Sequence, residues 1–176
     1  MLRGRPDPAR RSVPSLDVPS RDVTDTASTA AARVTPSVDQ LTAWRAFLRA
    51  HATITRALES ELVAEQDLSL AAYDVLVQLA EAPDRRLRMT ELADAVLLSR
   101  SGVTRLVDRM ERVGLVARTR VEGDGRGVAA ELTDEGYQRL RVASRTHLAG
   151  VLRHFVARLD ADDLCALERI SRRLSG

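Results

Sequence analysis

Residues 99–112 place Val103, Leu106, Val107 and Met110 at i, i+3, i+4 and i+7, and every other position except Gly102 is polar or charged. That period belongs to a helix with one narrow face to bury, and it excludes a strand, whose side chains alternate at period two. Ser99 is placed to cap the helix and Gly114 to stop it. A helix this short does not hold by itself in water, so it must dock on neighbours. Just upstream, Leu92, Ala93 and Val96 mark a second short helix, predicted to be capped by Thr90, and Leu98-Ser99 makes the tight turn between the two. Two short helices joined in this way form a helix-turn-helix, with Ser101, Thr104, Arg105, Asp108 and Arg112 turned outwards.

The flanks are predominantly helical. From Val38 to about Gln66, Leu41, Trp44, Phe47, Leu48, Ile54, Leu58 and Leu62 follow one helical face. Ser69 caps the next helix, with Leu68 and Tyr73 set as a hydrophobic staple, and Pro83 ends it. After Gly114 the period changes, because Val116–Arg120 and Val128–Leu132 flank a glycine-rich loop at 122–127, the pattern of a β-hairpin. Thr133 caps a long helix predicted from Asp134 to about Leu159, burying Tyr137, Leu140, Leu148, Val151, Leu152 and Phe155. A last helix starts at Asp162.

Composition separates a tail from a folded body. Residues 1–37 hold five of the six prolines and no aromatic residue, which predicts disorder, and 38–176 form one domain. All 27 basic side chains are arginine, and residues 85–126 carry 10 of them against 6 carboxylates, whereas 38–84 carry 3 against 8. The basic middle third is the one holding the helix-turn-helix. No window is apolar enough to span a membrane and no signal-peptide core is present, so the expected location is cytoplasmic. Cys165 is the only cysteine and is expected to be a small buried hydrophobe. His147 and His154 are too far apart to hold one metal alone, so neither metal nor cofactor is expected.

The order of elements resembles the MarR family of winged helix-turn-helix regulators. The resemblance rests on Met89–Ala93, on Leu98–Val116 and on Asp124-Gly125-Arg126 followed by Leu132–Gly136. It implies a mainly α fold with a small β-hairpin wing. Residues 68–133 would form the DNA-binding lobe, and helices at 38–66 and 134–176 a dimerisation region. It further implies a homodimer on double-stranded DNA, with recognition helices in major grooves and a wing arginine at the minor groove. Gly102 departs from the small hydroxyl or alanine common in the family, and Gly127 stands where a second basic residue is common.

The residues carry the same chemistry without the name. Ser99, Arg100 and Ser101 sit at a helix N-terminus, where unpaired N–H groups attract phosphate. One turn on, Thr104 and Arg105 can touch a thymine methyl and guanine O6 and N7, with Arg109 on the same exposed side. Ion pairing with Asp108 and Glu111 is the competing role for these arginines, and the preferred one for Arg112. At the hairpin tip Arg126, oriented by Asp124, can enter a narrow minor groove. The family resemblance, in addition, implies a ligand site near the first, second and fifth helices, where Trp44, His51 and Tyr73 are the candidates for a small aromatic or anionic effector. An enzyme would need a nucleophile with a base, paired carboxylates or a phosphate loop, and none is legible. The enzyme is the rival from another class; the second rival is a winged-helix interaction module that has lost DNA binding.

Overall fold

A computed structural model describes residues 35–96, 98–121 and 127–176. The predicted disorder of 1–37 therefore falls almost wholly outside the described residues, as does the hairpin tip at 122–126. The described part from Ser37 to Gly176 forms one compact unit.

Helix α1 (Val38–Gln66) starts in a capping box, in which the Ser37 hydroxyl accepts from Gln40 N–H and the Gln40 side chain accepts from Ser37 N–H. It ends where Asp67 turns left-handed at φ 46°. Helix α2 (Leu70–Glu81) begins as predicted at Ser69, whose hydroxyl accepts from Ala72 N–H at 3.2 Å, and Leu68 and Tyr73 are both buried. The Glu59 carboxylate of α1 also accepts from Leu70 N–H, which ties the start of α2 to the preceding helix. A 3-10 turn at Pro83–Arg85 leads to β1 (Arg86–Arg88), then to α3 (Met89–Ala95) and α4 (Arg100–Arg112). Strands β2 (Val116–Arg120) and β3 (Val128–Leu132) follow, and then α5 (Asp134–His154) and α6 (Ala161–Ser175).

The expected stripe of α4 is buried as a unit: Val103, Leu106, Val107 and Met110 pack with Leu76 and Leu79 of α2, Leu92 of α3, and Val116 and Ala130 of the sheet. Full burial of such side chains contributes about 1.5–3 kcal/mol each. The same core explains why α4, too short to persist in isolation, holds here.

Three expectations need correction and one an addition. Thr90 is not the cap of α3; the helix begins at Met89, and the Glu91 carboxylate takes the Arg88 N–H at 2.9 Å in its place. The sheet has three strands in the order β1-β3-β2, because Leu87 pairs with Ala130 across an antiparallel ladder that the hairpin alone does not supply. The long helix breaks at Phe155, whose backbone leaves helical geometry, before a 3-10 turn at Val156–Arg158. Leu148 and Leu152, expected inside, are 58% and 59% exposed in the single chain. The reason is a seam of smaller residues: α5 meets α1 through Ala143, Thr146 and Gly150, and that face excludes the two leucines. Thr146 donates to Glu65 at 2.9 Å and accepts from Gln66 at 3.0 Å, while the Arg139 guanidinium caps the Gln66 carbonyl.

Candidate nucleic-acid interface

The exposed side of α4 follows from its N-terminus. The Ser99 hydroxyl accepts from Gly102 N–H at 3.1 Å and lies 3.3 Å from the Ser101 hydroxyl. Ser99, Arg100, Ser101, Thr104, Arg105 and Arg109 are all exposed. Thr104 donates its hydroxyl to the Arg100 carbonyl at 2.9 Å, which leaves the methyl as the group it can offer outwards. Gly102 is the tight spot: an added Cβ would sit 3.1 Å from Ser99 Oγ.

The expected competition for the α4 arginines takes a different form. Asp108 and Glu111 do not neutralise Arg105 or Arg109; they bind Arg118 of β2 at 2.6 and 2.7 Å. Among the described residues Arg105 and Arg109 form no ion pair, so their charge is available to an outside anion. Arg112 turns back and donates through Nε to the Asp108 backbone carbonyl at 3.1 Å; the expected pairing with the Asp108 and Glu111 carboxylates is replaced by this bond, because among the described residues Arg118 takes both carboxylates. Sequence reasoning missed Arg118, whose only signal was its place in the strand that follows a helix carrying Asp108 and Glu111. Asp124 and Arg126 lie outside the described residues.

The three effector candidates do not converge. Tyr73 is buried, with its ring stacked on His147 at 4.4 Å between centroids and its hydroxyl 3.4 Å from Ser144 Oγ. Trp44 is 54% exposed and stacks on Phe47 at 6.0 Å, and Phe47 in turn meets His51 at 6.4 Å. His51 is exposed, because this half of α1 extends beyond the lobe that covers Leu58 and Leu62. It does line a cleft of about 610 Å³ together with Thr55, Arg56, Glu59, Asp74 and Leu98, between α1, α2 and the turn before α4. Burial pushes the Asp74 carboxyl above its ordinary value, against the pull of His147. Burial likewise holds His147 below the ordinary histidine value, opposed by Asp74, and its buried Nδ1 has no hydrogen-bond partner among the described residues.

Cys165 is exposed, not buried: it follows the partly covered Leu164 and precedes Leu167 by two residues, off the side of α6 that those leucines cover. Among the described residues no group of His, Cys, Asp or Glu could hold a metal ion, and no helix is long and apolar enough to cross a membrane.

A helix-turn-helix braced by a three-stranded sheet, with its second helix presenting exposed hydroxyls and arginines, defines a winged helix-turn-helix protein. The MarR family pattern matches residues 66–127. A MarR family transcriptional regulator from Streptomyces coelicolor, solved in complex with DNA, is 34% identical with a TM-score of 0.75, over 81% of this chain and 89% of that one. AbsC, another MarR family regulator from the same organism, is 33% identical with a TM-score of 0.74, over 81% and 95%. The chain belongs to the MarR family. Among curated relatives, the HTH-type transcriptional regulator PecS of Dickeya dadantii is 31% identical over 97 residues, 54% of this chain and 57% of that protein. The HTH-type transcriptional repressor YetL of Bacillus subtilis is 38% identical over 77 residues, 44% and 46% respectively. The chain thus spans about half the length of these two curated relatives.

Proposed function

We propose that this protein is a cytoplasmic, sequence-specific DNA-binding repressor that acts as a homodimer on an imperfect palindrome, and that it is not an enzyme. The observation that carries the reading is the face of α4, where among the described residues Arg105 and Arg109 form no ion pair while Arg118 takes up the neighbouring carboxylates. In this reading Ser99, Arg100 and Ser101 hold a phosphate at the helix N-terminus, and Thr104 and Arg105 read base edges, with Arg109 beside them. Arg126, oriented by Asp124, grips the minor groove. The named relatives support a role in transcription, YetL being called a repressor.

A dimer is supported by the apolar surface the single chain leaves open on α1, α5 and α6: Trp44, Phe47, Leu48, Leu152, Ile170 and Leu174. Two recognition helices related by a two-fold axis demand half-sites about one helical turn apart. Selection from random duplexes followed by footprinting tests this, with an inverted repeat expected. A single unrepeated half-site would refute it.

A small aromatic or anionic molecule lodged in the cleft at His51 and Arg56 is the proposed effector. It acts only through different affinities for the bound and released arrangements, and a hundredfold loss of DNA affinity needs a coupling of about 2.7 kcal/mol. Gel shifts with phenolic carboxylates should release DNA. Release by peroxide alone, abolished in Cys165→Ser, would overturn the effector assignment.

A further inference from the structure

We infer that Arg118 is a positioning residue that sets the angle between the recognition helix and the wing, and thereby the discrimination between sequences, without itself touching DNA. The inference rests on the DNA-binding reading above. Arg118 lies in the middle of β2, paired with Ala130 of β3, and β2 is an edge strand whose other side faces α4. Four interactions cross that gap from one residue. The Arg118 backbone N–H donates to Glu111 Oε1 at 3.0 Å, and Nη1 meets Asp108 Oδ1 at 2.6 Å and Glu111 Oε2 at 2.7 Å. Nη2 donates to the Thr104 carbonyl at 3.2 Å.

Thr104, Asp108 and Glu111 stand at i, i+4 and i+7, so a single guanidinium spans two turns of one face of α4. Its uppermost partner is the backbone of the proposed base-reading residue. The planar fork of arginine can meet two carboxylates and a carbonyl at once; a lysine ammonium is a point donor and cannot reach all three. The wing is held from its other side as well, since Arg86 of β1 donates to the Arg120 carbonyl at 3.1 Å. The helix that would enter the major groove and the hairpin that would reach the minor groove are therefore joined at one side chain.

Exposure argues for geometry over stability as the function of this cluster. The side chains of Arg118, Asp108 and Glu111 are 24%, 44% and 39% exposed, and ion pairs open to water add little to folding. A contact to a base edge, in contrast, tolerates only about half an ångström of misplacement. Loss of the latch should blur sequence reading while the fold persists.

The decisive variant is Arg118→Met combined with Glu111→Gln. It removes one positive and one negative charge, so net charge and with it the electrostatic part of DNA binding are conserved. Arg118→Met alone and Arg118→Lys accompany it. Wild type and variants are passed through selection on random duplexes of about two helical turns. Affinity is then measured on the sequence the wild type enriches most and on a scrambled duplex of the same composition, at one salt concentration. The double variant should lose about tenfold or more on the enriched sequence, the size of one lost base contact. It should stay within about twofold on the scrambled duplex, with an unchanged salt slope. Its own selection should return broadened base preferences, and Arg118→Lys should recover part of the discrimination. Equal losses on both duplexes would make Arg118 a phosphate contact, and a lowered melting temperature with unchanged discrimination would make it merely structural; either result overturns the inference. A wild type that enriches no sequence would refute the DNA-binding reading and this inference together, whereas enrichment that the double variant matches would refute this inference alone.

Discussion

Gly136 sits in the first turn of α5, where helix propensity favours alanine over glycine by up to about 1 kcal/mol. The structure reverses that sign. A Cβ added there would lie 2.8 Å from Leu132 Cδ1 and 3.0 Å from the Leu115 carbonyl carbon, and closer still to the carbonyl oxygen. Leu132 is buried, and the Leu115 carbonyl is fixed because it accepts from both the Thr133 N–H at 3.3 Å and the Thr133 hydroxyl at 3.0 Å. The backbone at the junction of wing and α5 therefore has nowhere to go. Overpacking a closed site costs about 1–3 kcal/mol, and a backbone obstacle puts this one near the upper end. Gly136→Ala should thus be destabilising by a net of about 2 kcal/mol, or about 4–8 °C in melting temperature for a domain of this size. Urea unfolding followed by circular dichroism measures it, at one fixed protein concentration because association contributes to apparent stability. Gly150→Ala is the graded control, since its Cβ would meet the movable ends of Glu61 and Leu58 at 2.7 and 2.8 Å and should cost less. A Gly136→Ala protein as stable as wild type, or more so, would refute the argument.

On the enriched operator, Arg105→Ala should cost about 1–3 kcal/mol and relax one base position. Arg126→Ala should weaken all sequences alike and reduce the salt slope by about one; identical losses on operator and random DNA would remove the distinction. Because burial favours the neutral ring of His147, its contribution is intact above its ordinary pKa of about 6.5 and is lost as pH falls below it. Denaturation midpoints should therefore drop between about pH 7 and 5.5, less steeply in His147→Gln. Asp74, pushed upward by burial, acts with the opposite sign at lower pH, in the carboxylate range. Leu152→Glu, placed on the exposed apolar face of α5, should yield monomers by sedimentation while leaving the lobe folded; an unchanged dimer would exclude that face from the interface.

Much of the lobe was legible before any coordinates. The period of α4 marked its buried face, and Ser69, Ser99 and Thr133 were recognisable as caps because each bonds an N–H three residues away. Such signals are local: dihedral preferences and near-neighbour hydrogen bonds are written in a few consecutive residues. Strand β1 was not legible, since Arg86–Arg88 is three residues long and its partner, Glu131–Ala129, comes after two helices and another strand. The misplaced cap at Thr90 has the same origin, because the chain enters α3 directly from that strand.

The sequence by itself determined the number and order of the helices, which stripe of α4 is apolar, and that the basic third of the chain coincides with the helix-turn-helix. The tertiary structure alone decided what those stripes and charges meet. Asp108 and Glu111 looked like partners for arginines on their own helix, yet the strand pairing brings Arg118 onto them and leaves Arg105 and Arg109 free of ion pairs among the described residues. Leu148 and Leu152 share the spacing of a buried face, but the close approach permitted by Ala143 and Gly150 turns the other side of α5 towards α1. The physical reason is range: periodicity reports the angle of a side chain about its own axis, whereas a salt bridge or a packed face requires two segments within a few ångströms, and only the folded chain sets that distance.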